Sequence, residues 1–369
     1  MNRLLVLGLV GTNIGGIETF LLNMNDAMDK EYIFDYVIEE KKCIHLSRIN
    51  NRGGKVYKIP NRKFQPFGNA IGFYKLIKLY NYKTVYFNVS SLSWIALEII
   101  ALFCGLRVIV HSHNAGFIDA NSSFAYKVMN SVNRVIINNI GIEKLACSDY
   151  AAQFMFGKRK DYLVINNGIF ADKFVYREDK RKKWRNIYGL QNDLVIGFTG
   201  RLEYQKNPIF AIDIFYEMRK RKKCKFLIVG DGALANKVKF YAKKLGLSQD
   251  VIFVGNTMYV NELYSAMDFF LFPSKNEGLG IVLIEAQANG LQGITSDGVV
   301  PGEAFLTDLI EKESLSKSSR EWADHCWKMI EKKTAIDRCS YNLKVVQRGF
   351  DIGKESRRLQ KILFDVREQ

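Results

Sequence analysis

The sequence has 369 residues, nearly half apolar and a quarter charged. That is a globular balance with room for two ordinary domains, and it excludes a disordered or fibrous chain. Lysine and arginine outnumber aspartate and glutamate 54 to 38, a formal net charge of +16 spread over both halves, so the chain favours anionic partners: nucleotides, acidic lipid surfaces or nucleic acid.

Six cysteines without a C-x-x-C pair fit free thiols in a reducing, cytoplasmic compartment rather than a disulfide framework. The N-terminal run MNRLLVLGLVGTNIGG lacks a small-residue cleavage site and enters a glycine turn, so it reads as a first strand and not a signal peptide. Short β-branched or aliphatic runs predict strands at 4–10, 33–37, 55–59, 84–88, 107–111, 134–138, 144–148 and 162–165 in the first half. In the second half they fall at 194–199, 225–229, 251–254, 269–272 and 293–295. Helical patterns lie between them, among them 16–27, 208–220, 233–244 and 281–288. The apolar stretch 91–106 is too short for a membrane span and contains Glu98, which predicts a buried helix.

Alternating β and α order predicts parallel sheets with helices on both faces. The best boundary lies near Asn167–Asp172, after which a basic helical segment (173–185) leads to a fresh strand. The expected architecture is α/β, with two doubly wound, Rossmann-like domains at 1–170 and 171–350 facing across a cleft. A C-terminal helix at 351–369 is expected to cross back to the first domain. Ligands of such sheets bind at the carboxyl ends of the strands, and four motifs fall there.

Gly15-Gly16-Ile17-Glu18-Thr19 follows the first strand; its glycines admit a ligand close to the backbone and its helix start attracts phosphate. It is not a dinucleotide fingerprint, because G-x-G-x-x-G is absent. His111-Ser112-His113-Asn114 follows the strand at 107–111 and holds two of the four histidines. Imidazole there can donate to a substrate oxygen or relay a proton. Gly200-Arg201 to Lys206-Asn207-Pro208 places two cations on one short loop before a helix, as neutralisation of a leaving pyrophosphate requires. The fourth motif, Glu277-Gly278-Leu279-Gly280 followed by Glu285, offers backbone N–H groups to a diphosphate. Its two carboxylates cannot serve that anion, so hydroxyl groups of a sugar and a ribose are their plausible partners.

With G-G-x-E-T, G-R-x-x-x-x-K-N-P and E-G-L-G-x-x-x-x-E in this order, nearly the whole chain resembles the retaining GT-B glycosyltransferases of family 4, the group 1 transferases. The stretch 296–315 resembles the subgroup of bacterial exopolysaccharide and capsule assembly. The resemblance implies that Arg201 and Lys206 hold the diphosphate of a nucleotide-sugar donor, UDP-linked by preference. Glu277 would contact the sugar hydroxyls and Glu285 the ribose. Gly278, Leu279 and Gly280 would donate from the backbone, Gly15 and Gly16 would lie against the diphosphate, and His113 would line the reaction centre. The segment 253–256, ending at Asn256, would border the base. Retention without a metal or other cofactor is implied, and no D-x-D triplet occurs in the chain. Since a double displacement needs a carboxylate nucleophile that cannot be named here, front-face displacement is favoured. At 298–308 the chain reads GVVPGEAFLTD, with Pro301 and Glu303 where many relatives have a glycine-rich loop.

The implied acceptor is a saccharide or lipid-linked saccharide, and basic, aromatic parts of the first domain, 62–67 and the helix near Trp94, would touch an anionic membrane surface. Two other readings compete. One is a non-hydrolysing UDP-sugar epimerase of the same architecture, which needs no acceptor. The other is a non-catalytic basic binder of membrane or nucleic acid; the clusters 180–185 and 219–223 lack interleaved base-stacking aromatics on a sheet.

Overall fold

A computed structural model describes residues 2–12, 15–116, 123–158, 161–332 and 337–364. The chain divides into two compact units, one of residues 1–169 with 352–369, the other of 170–351. The expected helix at 351–369 is described as Ile352–Phe364; its last five residues, 365–369, lie outside the described residues.

The first unit holds a seven-stranded parallel sheet of β1 (Asn2–Leu7), β2 (Tyr32–Ile38), β3 (Val56–Lys58), β4 (Thr84–Val89), β5 (Arg107–Ser112), β6 (Ile142–Ala146) and β7 (Leu163–Val164). Its order is β3-β2-β1-β4-β5-β6-β7, with the switch beside β1. The central strands are buried on both faces, which is why they read as unbroken apolar runs. β1 stops at Leu7, short of the expected Val10, because Gly8 turns out of the strand at φ 108°. A Cβ on Gly8 would stand 2.1 Å from the Asn88 carbonyl oxygen, so only glycine lets the ends of β1 and β4 meet. The helix Ile352–Phe364 closes this unit. Ile352 N–H donates to the Ile169 carbonyl (3.2 Å), Gln360 exchanges hydrogen bonds with Asp29, Glu355 accepts from Asn166 N–H (2.9 Å), and Phe364 packs on Tyr32.

The second unit has a six-stranded parallel sheet of β8 (Leu194–Thr199), β9 (Cys224–Val229), β10 (Val251–Gly255), β11 (Phe269–Phe272), β12 (Gly293–Ser296) and β13 (Ile310–Glu313), in the order β10-β9-β8-β11-β12-β13. Its core runs through Phe215, stacked on Phe226, to Phe270 and Trp322.

Several expectations are corrected. The residues 134–138 are not a strand; they end the helix Phe124–Asn139. Their β-branched side chains suggested a strand, but tertiary anchoring overrides propensity. Asn130 Oδ1 accepts from Leu92 N–H (2.7 Å), Asn133 Nδ2 donates to the Leu92 carbonyl (2.6 Å), and Ile137 is buried. This helix inverts the usual rule, burying two asparagines while Phe124, Val128, Met129, Val132, Val135 and Ile136 are exposed. β13 is an addition, since IEKE carries too little apolar signal for an edge strand to be read. The basic segment 173–185 becomes a short 3₁₀ turn, Ala171–Phe174, and the helix Glu178–Ile187. Within the apolar stretch 91–106 the helix spans Ala96–Phe103 and is one-sided: Leu97, Glu98 and Ala101 are buried, whereas Phe103 is 88% exposed. Trp94 is half-buried with its indole nitrogen enclosed, whereas Phe64 and Phe67 are exposed. All six cysteines are free thiols, and among the described residues no helix is long and apolar enough to cross a membrane.

Candidate active site

In the second unit the predicted residues gather on loops that leave the carboxyl ends of β8 and β11. After β8, Gly200 (φ 148°) turns the chain into Arg201 and the 3₁₀ turn Tyr204–Lys206, and Pro208 starts the next helix. Gly230, at the end of β9, lies under this loop; a Cβ there would come within 2.1 Å of the Gly200 carbonyl oxygen. After β11, the loop to Gly280 leads into the helix Ile281–Ala288, with Gly280 at its N-cap.

The two loops are clasped. Lys206 Nζ donates to both Glu277 oxygens, at 2.6 and 2.8 Å, and Ser274 Oγ donates to Glu277 Oε1 at 2.5 Å. Gln205 Nε2 donates to the Asn276 carbonyl, and Lys275 N–H to the Gln205 carbonyl. The Lys206 ammonium also lies 5.1 Å from the Phe272 ring centre. The ion pair is almost enclosed, with side-chain exposures of 15% and 4%. Arg201 differs: it is half-exposed and its guanidinium has no hydrogen bond or ion pair with the described residues. One cation of the loop thus braces Glu277, and the other is free for an anion.

Gly278, Leu279 and Gly280 are buried at the helix start. One turn further, Glu285 is 9% exposed and accepts from the Tyr264 hydroxyl at 2.9 Å. Burial raises its carboxyl to about 7 against an ordinary 4.5, and the Tyr264 hydrogen bond opposes that rise. Asn256 is exposed just beyond β10.

In the first unit Gly15 caps the helix Gly16–Ala27 with its extended backbone, and a Cβ on Gly16 would meet open space. Glu18 turns back to accept from Val10 N–H at 3.2 Å. His113 sits just past β5, 8% exposed, with its ring 4.9 Å from Phe20 and 4.2 Å from His111. Asn88 Nδ2 donates to the Leu7 carbonyl, so Asn88 Oδ1 faces His113 Nε2 at 2.8 Å. His113 therefore carries its proton on Nε2 and keeps a bare, buried Nδ1. Burial lowers its pKa to about 3, so the ring is neutral near pH 7. His111 is buried too, with Nδ1 2.5 Å from the Tyr86 hydroxyl.

Sequence reasoning missed the residues that brace these groups: Ser274 on Glu277, Tyr264 on Glu285, Asn88 on His113, and Gly230. Of these, only Gly230-Asp231-Gly232 had a readable signal, a glycine pair directly after a strand.

Residues 180–342 match the family model described as glycosyl transferases group 1. This stretch is a group 1 glycosyltransferase domain. It contains Arg201, Lys206, Glu277 and Glu285. Beyond the domain, the chain is 28% identical over 331 residues to the putative glycosyltransferase EpsF of Bacillus subtilis (strain 168), covering 86% of this chain and 85% of that one. It is 27% identical over 239 residues to the UDP-Gal:alpha-D-GlcNAc-diphosphoundecaprenol alpha-1,3-galactosyltransferase of Escherichia coli, covering 62% and 61%. Anabaena HepE, solved in complex with UDP-glucose, has the same fold with a TM-score of 0.81, over 99% of this chain and 100% of that one at 19% identity. The two parallel-sheet α/β domains expected of a GT-B fold are thus found.

Proposed function

We propose that the protein is a retaining, metal-independent glycosyltransferase. It moves a sugar from a nucleoside diphosphate, UDP by preference, to a saccharide or lipid-linked saccharide in cell-surface polysaccharide synthesis at the cytoplasmic face of the membrane. The observation that carries this reading is the division of labour on the β8 loop, where Lys206 is held on Glu277 and Arg201 is left free. Arg201 meets the diphosphate, and the N-terminus of the helix Ile281–Ala288 shares that charge. Glu285 accepts from the ribose, Asn256 borders the base, and Glu277 receives the sugar hydroxyls while Lys206 and Ser274 hold it in place. Gly15, Gly16 and His113 stand just past strands β1 and β5 of the first unit.

Glu277 is poorly suited to be a nucleophile, because Lys206 neutralises its charge and Ser274 pins Oε1, which leaves Oε2 able to accept from a sugar hydroxyl. A front-face route follows. The bond from the anomeric carbon to the diphosphate oxygen breaks, the acceptor hydroxyl attacks on the same face, and its proton passes to the departing diphosphate oxygen. Charge stabilisation by Arg201 is the main catalytic contribution, and it replaces a divalent cation in this role. The Escherichia coli galactosyltransferase, which uses UDP-Gal and a diphosphoundecaprenol-linked sugar, and the UDP-glucose complex of Anabaena HepE support a UDP-sugar donor and an undecaprenol-linked acceptor.

The test is a panel of UDP-, GDP- and ADP-sugars with lipid-linked saccharides. Arg201→Ala should lower turnover roughly 100- to 1000-fold, with an α-linked product from an α-linked donor and full activity in a chelator. Inversion at the anomeric carbon, or normal turnover without Arg201, would overturn the reading. An epimerised nucleotide-sugar formed without acceptor would favour the epimerase.

Peripheral contact with the anionic membrane belongs to the same proposal, and the helix Phe124–Asn139 supports it better than the segment near Trp94. Its exposed apolar residues lie on an arc of about 140° at 3.6 residues per turn, with the cations Lys127 and Arg134 to one side. That is the pattern of a helix lying in a bilayer interface. It begins eleven residues after His113, so it would bring the acceptor end of the first sheet to the lipid surface.

A further inference from the structure

The Tyr264 hydroxyl lies between two acceptors, with the Thr199 hydroxyl also against it as a donor to the phenol oxygen. Glu285 Oε2 is 2.9 Å away and the Val282 carbonyl 3.3 Å. Tyr264 is fully buried on the helix Val260–Ala266, and both acceptors belong to the helix Ile281–Ala288. A phenol has one proton to give. When Glu285 is ionised, that proton goes to Oε2, the closer acceptor. When Glu285 takes a proton from solvent, its own O–H donates to the Tyr264 oxygen, and the phenol proton turns to the Val282 carbonyl. Both arrangements are fully hydrogen-bonded, and they exchange without moving a heavy atom.

We propose that Tyr264 is the positioning residue of the nucleotide site: its single proton sets whether Glu285 meets the ribose as a carboxylate acceptor or as a carboxylic acid. This rests on the reading that Glu285 binds ribose. A ribose diol is recognised by the carboxylate, which accepts both of its protons, whereas the acid has lost an acceptor to its own proton. Burial brings the exchange to about pH 7, within reach of cellular conditions. Tyr264 is the titratable side chain that bears on Glu285, and no charged group from the elements packed around it contributes. The tyrosine is itself held far above its ordinary range by burial and by Glu285, so it serves only as a hydroxyl. Nucleotide-sugar binding is therefore gated by pH, and Tyr264 sets the midpoint.

The experiment has two arms on the full chain. In the first, carbon-13 NMR follows glutamate carboxyls of the ligand-free protein through pH 5–9. Glu285, assigned by its loss in Glu285→Gln, should titrate near 7, and Tyr264→Phe should raise its midpoint by about one unit, since a hydrogen bond to the charged form is removed. In the second, binding of UDP-, GDP- and ADP-glucose is measured over the same range; these diphosphate diesters carry no group of their own titrating near neutrality. Wild-type affinity should fall with pH below the midpoint, approaching tenfold per unit. Tyr264→Phe should bind roughly fivefold more weakly at pH 7, approaching tenfold at pH 6, and normally at pH 9, and Glu285→Gln should be weak and flat. An unmoved midpoint in the first arm, or Tyr264→Phe weakening binding equally at every pH, overturns the proposal. Wild type binding none of the three nucleotide-sugars while the first arm holds overturns the ribose reading instead.

Discussion

At Glu285, folding and binding pull in opposite directions. Its carboxyl is raised from 4.5 to about 7 by burial, so the folded chain holds this proton more tightly than the unfolded one. The sign follows: its contribution to stability is intact below about pH 4.5 and lost as pH rises through 7. Glu285→Gln should stabilise the ligand-free protein at pH 8 by about 3 kcal/mol, and hardly at all at pH 4.5. Denaturant unfolding at the two pH values checks this, and equal stability at pH 8 would mean the carboxylate is well solvated. Lys206 makes the opposite case. Lys206→Ala leaves Glu277 buried with Ser274 alone, so it should cost about 3–5 kcal/mol, much of it recovered in Lys206→Ala/Glu277→Gln. The double mutant melting no higher than Lys206→Ala would show that the pair does not govern the loop. Lys206, Glu277 and Glu285 could be read from the sequence because each stands on, or one turn beyond, a short loop that carries glycines. Tyr264 and Asn88 could not: they lie 21 and 25 positions from the groups they orient, and pattern alone gives no sign of the pairing.

Among the elements, periodicity was most informative where burial is complete. β8, β11 and the helices Gly16–Ala27 and Ile281–Ala288 begin and end where the apolar runs and flanking glycines place them. It misled where tertiary contacts invert the pattern. The helix Phe124–Asn139 is anchored by Asn130, Asn133 and Ile137, so an apolar pattern that normally marks a core face marks an exposed one. Val132→Asp with Val135→Asp should therefore leave the fold intact, since both side chains are exposed, and abolish flotation with vesicles containing anionic lipid. Arg134→Glu should weaken flotation at least fivefold, at about 1 kcal/mol per basic residue near such a surface. Binding that ignores lipid charge would exclude the electrostatic part. Loss of a dimer in sedimentation, with flotation unchanged, would assign the face to a second copy of the chain.

For the molecule as a whole, the alternation of strand and helix was sufficient to indicate two parallel sheets, but not the details of the last turn of each strand, where backbone approach decides. Asn88 against Gly8 is one example, because a glycine records that space is needed and not what fills it. The return of the chain to the first unit at Ile352 gives a sharp expectation. A chain ending at Asp351 should show fast hydrogen exchange at the end of Gly16–Ala27 and the start of β2, which lose Gln360, Ser356 and Phe364 as neighbours. Protection in β8–β13 should persist. Uniform loss of protection would mean the two units fold as one.

The same return sets an order of events during synthesis. The strands of the first sheet leave the ribosome before residues 170–351, yet the helix that covers its end is made only after those residues have emerged. At about 5–20 residues per second, that interval is on the order of 10 to 40 s. Throughout it the nascent first unit carries an uncovered apolar seam around Tyr32, which makes it a natural client for chaperones that bind unfinished chains.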